Sequence, residues 1–332
     1  MDTKCLATDG GCVKSCGGRK PLAIKMQQVL DITVLMGGPS TEREVSLVSG
    51  GAISDALQRA GHKITRCDIS PTDTSALDRK GIDVVFIALH GLFGESGEVQ
   101  ELCEKRGLRY TGSTSLASTI AIDKAASKEA FRNAGILTAN WTMIYKGQSQ
   151  ADILAAVEPL GLPAVVKPVD GGSSVDVTIA RDAAARDAAI ADCVAKYEKV
   201  MVEAFVKGRE FTVGILGKQA LPVIEIKPGS EFYDYTAKYA DNSGTQYLFD
   251  HGLPEQTVAN MQSAALLAYE SLGCRDMSRV DFIVDAAGDA YVLEINTIPG
   301  FTSHSLLPMA AAKAGIKFDE LVCKIVDMAM QR

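Results

Sequence analysis

The sequence predicts an α/β protein: a doubly wound parallel sheet near its start, followed by an α+β part. Three observations carry this. Apolar strands alternate with amphipathic helices across residues 32–89. Two extended segments at 278–284 and 291–296 read as one hairpin joined by a turn-rich link. The chain has 332 residues, 47% of them apolar and 23% charged, which is more than one ordinary core holds.

The elements follow in order. Residues 1–28 form a Gly-rich head carrying Cys5, Cys12 and Cys16 without a Cys-x-x-Cys pair, and are expected to be a mobile extension. A zinc site there would need a fourth ligand from elsewhere. Residues 32–36 are a buried strand and 37–40 a turn. Thr41-Glu42-Arg43-Glu44 reads as a capping box opening a helix to about Ala60. Strands at 63–69 and 84–89 complete a βαβ rhythm, which places a site at the carboxyl ends of the strands. Gly37-Gly38 and His90-Gly91 lie at such ends. Glu42 is then either a first-turn carboxylate favoured by the helix dipole or a ligand at the crevice. His90 is either structural or placed for ligand contact.

Asp123-Lys124 opens a helix that reaches Ala134-Gly135. Lys167 ends an apolar strand and precedes a loop of glycines and hydroxyls at 169–175, where backbone N–H groups can approach a phosphate. A strand at 200–206 and another at 208–214 come next. The segment 232–239 mixes aromatics with charge, a poor pattern for a core and a good one for a lid. After the hairpin, residues 296–308 form a loop rich in Gly, Pro and hydroxyls, suited to presenting donors to an anion.

The hairpin carries the chemistry. Folding it about Ala287-Gly288 sets Asp281 opposite Glu294 and Arg279 opposite Asn296, all on one face. Val280, Phe282 and Val284 then share the other face with Leu293 and Ile295. Carboxylates roughly 5 Å apart repel unless a cation intervenes. An oxygen-only set, partly open, suits Mg²⁺ carrying substrate phosphates. The alternative is a solvated face with one Arg–carboxylate pair.

Other function classes are excluded or disfavoured. A net charge of -7 argues against a nucleic acid or an anionic membrane as partner. No apolar run reaches the roughly 20 residues of a membrane helix. The first residues carry Lys4, Lys14, Arg19, Lys20 and Lys25 with no apolar stretch between them, so a cytoplasmic location is expected. Cys67, Cys103, Cys193, Cys274 and Cys323 read as small buried hydrophobes in a reducing compartment. Walker, dinucleotide-fingerprint, zincin and nucleophile-elbow motifs are absent.

Several strings together resemble the ATP-grasp superfamily and, within it, the D-alanine:D-alanine ligases. They are Gly37-Gly38-Pro39-Ser40-Thr41-Glu42-Arg43-Glu44-Val45-Ser46, Ala88-Leu89-His90-Gly91, Val166-Lys167-Pro168, Gly172-Ser173-Ser174-Val175, the segment 232–239 and the loop 296–308. The resemblance runs from about Ile32 to the C-terminus. It implies a Rossmann-like substrate domain at 29–122, a small ATP-grasp lobe at 123–217 and a large lobe at 218–332 with a lid at 230–245.

It also implies roles. Asp281, Glu294 and Asn296 would bind Mg²⁺, with Mn²⁺ as a substitute, and Lys124 and Lys167 the phosphates of ATP. Glu203 would meet the adenine amino group, the Phe205 and Val206 backbone the ring edge, and Glu210 the ribose. Arg279 and the Gly300 backbone would clamp an oxyanion, and Ser305 and Leu306 the second D-alanine carboxylate. Glu42 would meet the first D-alanine ammonium, with His90 near it. Tyr239, Ser173 and Glu42 would hold the lid, which also carries Tyr233 and Lys238. The implied product is D-alanyl-D-alanine, made through an acyl phosphate by a homodimer. D-lactate- or D-serine-using ligases, or another ATP-grasp carboxylate–amine ligase, are the alternatives.

Some positions depart from the usual pattern. Ser278 and Val280 replace Gly and Ile beside the metal ligand, Ile298 replaces a small polar residue, Asp170-Gly171 replaces an Arg-Glu-type pair, and Asp176 stands where Gly is common. None removes a proposed ligand, but Asp170 and Asp176 add negative charge near the phosphate loop.

Overall fold

The computed structural model describes residues 28–172, 175–229 and 244–332. The head with Cys5, Cys12 and Cys16 and nearly all of the expected lid therefore lie outside the described residues.

Apolar and β-branched residues form strands β1 (Asp31–Met36), β2 (Lys63–Asp68) and β3 (Val84–Ile87), parallel in the order β2-β1-β3. Alternate residues of this sheet face opposite ways, and both faces are covered. Ile32, Val34, Val84 and Phe86 pack under Ile53 and Leu57 of helix α1 (Arg43–Arg59). Leu35, Val85 and Ile87 pack against Leu77, Val99 and Cys103. This is the doubly wound arrangement expected.

The capping box is not formed. Helix α1 begins at Arg43 with Glu42 as its cap residue and no side-chain cap bond, while the Glu42 N–H donates to Ser40 Oγ at 3.1 Å. The turn before it is instead pinned from outside. Gly37 and Gly38 adopt φ of 80° and 77°, and a Cβ on Gly37 would sit 2.4 Å from Asp68 Oδ1. The Gly37 N–H donates to Ser46 Oγ at 2.9 Å, and that hydroxyl donates to the Ala88 carbonyl at 2.7 Å. These bonds bring the start of α1 against the end of β3.

Short helices α2 (Leu92–Glu95), α3 (Glu98–Lys105), α4 (Ser115–Ile122) and α5 (Lys124–Asn133) follow. Asp123 caps α5 by accepting from the Ala125 and Ala126 N–H groups, each at 3.0 Å. A second sheet, antiparallel with order β4-β7-β5-β6, contains β4 (Trp141–Tyr145), β5 (Ala164–Pro168), β6 (Thr178–Ala180) and β7 (Lys199–Ala204). Val166, Val200 and Val202 face the core beneath helices α6 (Gln150–Val157) and α7 (Ala183–Lys196). The alternate residues Val165, Lys167 and Glu203 therefore face the other way.

The third sheet has the order β11-β10-β8-β12-β13, with β9 (Gln219–Ala220) beside β8 (Gly208–Leu216). Its other strands are β10 (Ile224–Lys227), β11 (Gln246–Leu248), β12 (Met277–Asp285) and β13 (Ala290–Asn296). Phe211, Val213, Val280, Phe282 and Val292 pack on Met261, Ala265 and Ala268 of helix α8 (Glu255–Ser271). Helices α9 (Leu306–Lys313) and α10 (Phe318–Met330) end the order, and Leu321, Val322, Ile325 and Val326 of α10 return to the core of the first sheet.

The hairpin pairs as expected at its functional end, with Arg279 opposite Asn296 and Asp281 opposite Glu294. A bulge follows, because Phe282 pairs with Val292. Val292 thus takes the core place assigned to Leu293, which instead lines a cavity beside Glu294. Cys103, Cys193 and Cys274 are buried, Cys67 and Cys323 partly so, and all five are free.

Phe301 ties the loop after the hairpin to the first sheet. Its ring meets Phe86 edge-on at 5.9 Å and Phe318 at 6.3 Å, and its N–H donates to Ser49 Oγ at 3.1 Å. Phe301→Ala is expected to lower the unfolding free energy by about 3–5 kcal/mol in denaturant titration. A loss below about 1 kcal/mol would mean the loop is held by other contacts.

Candidate active site

Two cavities meet where the three sheets converge. The larger, about 1100 Å³, lies between the second and third sheets. Lys167, Glu203, Phe205 and Val206 line one wall; Glu210, Asp281, Ile283, Leu293 and Glu294 line the other. The smaller, about 510 Å³, is bounded by Glu42 at the start of α1, His90 and Glu95 after β3, and Arg279, Glu294 and Asn296 of the hairpin. Gly300, Ser305 and Leu306 close it. Lys124 and Glu294 belong to both, as do Gly171 and Gly172.

Charge pairing orders the junction. Arg279 grips Asp281 with two bonds, Nε to Oδ1 and Nη2 to Oδ2, both 2.9 Å. Thr212 Oγ1 donates to Asp281 Oδ1 at 2.6 Å. Lys124 Nζ lies 3.1 Å from Glu294 Oε2 and donates to the Gly171 carbonyl at 2.5 Å, which draws the glycine loop over the hairpin. Asn296 Oδ1 accepts from the Ile298 N–H at 2.8 Å. Among the described residues no group of three or more His, Cys, Asp or Glu side chains is placed to hold a metal ion. The candidate set has two opposed carboxylates and an amide, oxygen donors only, which fits Mg²⁺ or Mn²⁺.

In the larger cavity, Glu203 is 2% exposed and lies between two ammonium groups, Lys167 on one carboxylate oxygen and Lys128 on the other. Burial pushes the Glu203 carboxyl up, but the charges of Lys167 and Lys128 outweigh this and hold it below its usual range. The Phe205 N–H donates to the Pro163 carbonyl at 3.2 Å, so that donor is already committed.

In the smaller cavity, His90 Nδ1 lies 3.7 Å from Glu95 Oε1, and Nε2 is 3.5 Å from Ser49 Oγ. Burial raises the Glu95 pKa, His90 opposes the rise, and the charges of Glu42 and Glu294 add to it. A Cβ on Gly300 would come 2.7 Å from Ser305 Oγ, so the close approach of these two requires glycine. Ser305 Oγ accepts from the Thr302 N–H at 2.9 Å at the start of α9.

Of the residues to which the resemblance gives a role, all the described ones line one or both cavities. Ser173, Tyr233, Lys238 and Tyr239 lie outside the described residues. Lys128, Glu95 and Thr212 were not foreseen. Lys128 follows Lys124 by four residues on one helix, a spacing that puts both on one face. Glu95 has no such signal. Asp176 explains its own oddity: its φ is 54°, the left-handed region glycine prefers. Lys196 Nζ at 2.6 Å and the Tyr197 hydroxyl at 2.7 Å donate to its carboxylate, so its charge is matched locally.

A nucleotide-sized cleft between two antiparallel sheets, opening onto a carboxylate-lined substrate cavity, defines an ATP-grasp ligase. The family profile "D-ala D-ala ligase C-terminus" matches residues 130–327. A D-alanine--D-alanine ligase of Citrifermentans bemidjiense is 45% identical over 298 residues, 90% of this chain and 95% of that protein. The solved structure of the Bacillus anthracis D-alanine--D-alanine ligase complexed with ATP superposes with a TM-score of 0.80 at 32% identity, over 91% of this chain and 98% of that one. The VanG D-Ala:D-Ser ligase of Enterococcus faecalis gives 0.79 at 27% identity, over 91% and 100%. The chain belongs to the D-alanine–D-alanine ligase family.

Thr212→Val is expected to lower the unfolding free energy by about 1.5–3 kcal/mol, because Asp281 loses a bond to its charge. Denaturant titrations should show a smaller loss in an Asp281→Asn background. An equal loss there would place the role of Thr212 elsewhere.

Proposed function

We propose that the protein joins two D-alanine molecules into D-alanyl-D-alanine while ATP is cleaved to ADP and phosphate, supplying a cell-wall precursor. The observation that carries this is the shared wall of the cavities. Lys124 and Glu294 line both, so the terminal phosphate of a nucleotide in the larger cavity meets a carboxylate held in the smaller.

Glu203 faces the adenine amino group, Phe205 and Val206 the ring edge, and Glu210 the ribose. Lys167 and Lys124 take the phosphates. Glu42 draws the first D-alanine ammonium into the smaller cavity, beside His90, and so turns its carboxylate toward Lys124. A carboxylate oxygen accepts the γ-phosphoryl group, giving an acyl phosphate and ADP. The amine of the second D-alanine attacks the acyl carbon, with its own carboxylate held by Ser305 and Leu306 at the start of α9. Arg279 and the Gly300 N–H stabilise the oxyanion, phosphate leaves with the C–O bond, and the amine sheds a proton. Asp281, Glu294 and Asn296 would hold Mg²⁺, which supplies neutralisation of triphosphate charge when bound. The resemblance gives Ser173, Tyr239 and Glu42, together with Tyr233 and Lys238, a part in keeping water from the acyl phosphate; all of these but Glu42 lie outside the described residues. The enzyme is read as a homodimer, as the family resemblance implies, and as cytoplasmic, in keeping with the cysteine usage. No helix among the described residues is long and apolar enough to cross a membrane.

Mass spectrometry of products from ATP, Mg²⁺ and D-alanine, with D-serine and D-lactate competing, tests the reaction. D-alanyl-D-alanine is expected to dominate; dominant D-alanyl-D-serine would move the chain to the activity named for the Enterococcus faecalis structure, and dominant D-alanyl-D-lactate to the other sister activity. Asp281→Asn and Glu294→Gln are each expected to cut turnover by roughly 100-fold or more with the circular dichroism unchanged. Turnover at the native rate would refute the metal assignment.

A further inference from the structure

Lys128 has no part in the reaction as described, yet it is the most deeply buried charge beside the nucleotide cavity. It is 0% exposed and sits behind Glu203, away from the cavity that Lys167 and Glu203 line. Three elements fix its ammonium. It belongs to α5, pairs with Glu203 of β7, and donates to Thr138 Oγ1, whose hydroxyl donates in turn to the Val292 carbonyl of β13 at 2.7 Å. The Trp141 ring centroid lies 5.4 Å away, on the residue paired with Glu203 across β4 and β7.

Without nucleotide, Glu203 has two cations. Once Lys167 turns to a phosphate, the second oxygen of Glu203 is released toward the base, and Lys128 is the remaining counter-charge. A buried carboxylate without a cation takes up a proton and becomes a hydrogen-bond donor. That change reverses which base edge it can read. We propose that Lys128 is a positioning residue for nucleobase recognition: pinned to one oxygen of Glu203, it keeps the other an acceptor that selects an amino-bearing base over a carbonyl-bearing one. This rests on the reading of the larger cavity as the ATP site.

The surrounding charges agree with the assignment. Burial lowers the Lys128 pKa to about 8, with Glu203 opposing and Lys167 and Arg132 adding to the fall, so the ammonium is still largely charged at neutral pH. Arg181, Glu210 and Asp281 line other walls of the cavity.

The test compares ATP with inosine triphosphate, whose base carries a carbonyl in place of the amino group. In Lys128→Met the preference for ATP in kcat/KM should fall by about 10- to 100-fold, chiefly through KM, as for a lost bond to a charged acceptor. It should return as pH rises and Glu203 loses its proton, whereas Lys128→Arg should keep it throughout. An unchanged preference in Lys128→Met at every pH, whatever the loss of rate, overturns the role of Lys128. Glu203→Gln separates the two failures: if it leaves the preference intact, the nucleotide reading itself falls, and this inference with it. Should Lys128→Met not fold, calorimetry of ADP and inosine diphosphate binding to the wild type decides. A steady affinity ratio from about pH 8 to pH 5 is expected, and a ratio collapsing over that range, where a lone buried carboxylate would protonate, overturns the proposal.

Discussion

Negative charge that is buried or half-buried, each carboxylate matched by a nearby cation, is the constraint on which the rest of the structure depends. Asp281 is gripped by Arg279, Glu294 meets Lys124, and Glu203 lies between Lys128 and Lys167. Such pairs add little net stability, since desolvation offsets much of the attraction, but breaking one is costly. Their value lies in geometry. Lys124 connects α5 to the hairpin and to the glycine loop, and Lys167 connects β5 to β7. A triphosphate arriving among these lysines would compete for cations already in place.

The hairpin shows how a correct pairing was legible for an incomplete reason. Symmetric folding about Ala287-Gly288 gives Asp281 opposite Glu294. The chain reaches that register differently, through a tighter turn in which the Asp285 N–H donates to the Asp289 carbonyl at 3.0 Å, and a bulge that restores the offset. The bulge has no glycine or proline to announce it. Its effect falls on Leu293 of β13, turned from the core to the cavity, while period-two alternation holds along β12. The doubly wound sheet was legible because its strands are continuous apolar runs. The failed capping box at Thr41 was not, because tertiary bonds from Ser46 and Asp68 hold that turn in place of a local cap.

Among site residues, those beside glycines and strand ends were legible because the backbone there is distinctive. Lys128 and Glu95 were not, since the side chain of each is brought to the site only by packing between elements. Asp176 carries the opposite lesson. A carboxylate suspected of weakening phosphate binding is matched by Lys196 and Tyr197, and what its position demands is a left-handed backbone rather than neutrality.

The return of α10 to the first sheet bears on how the protein is made. Ile32, Val34 and Phe86 leave the ribosome long before part of their cover, Leu321, Val322 and Ile325. Over that interval the apolar face lacks its final partner, a state open to chaperone capture and to aggregation. The first sheet therefore cannot finish packing until α10 has been made.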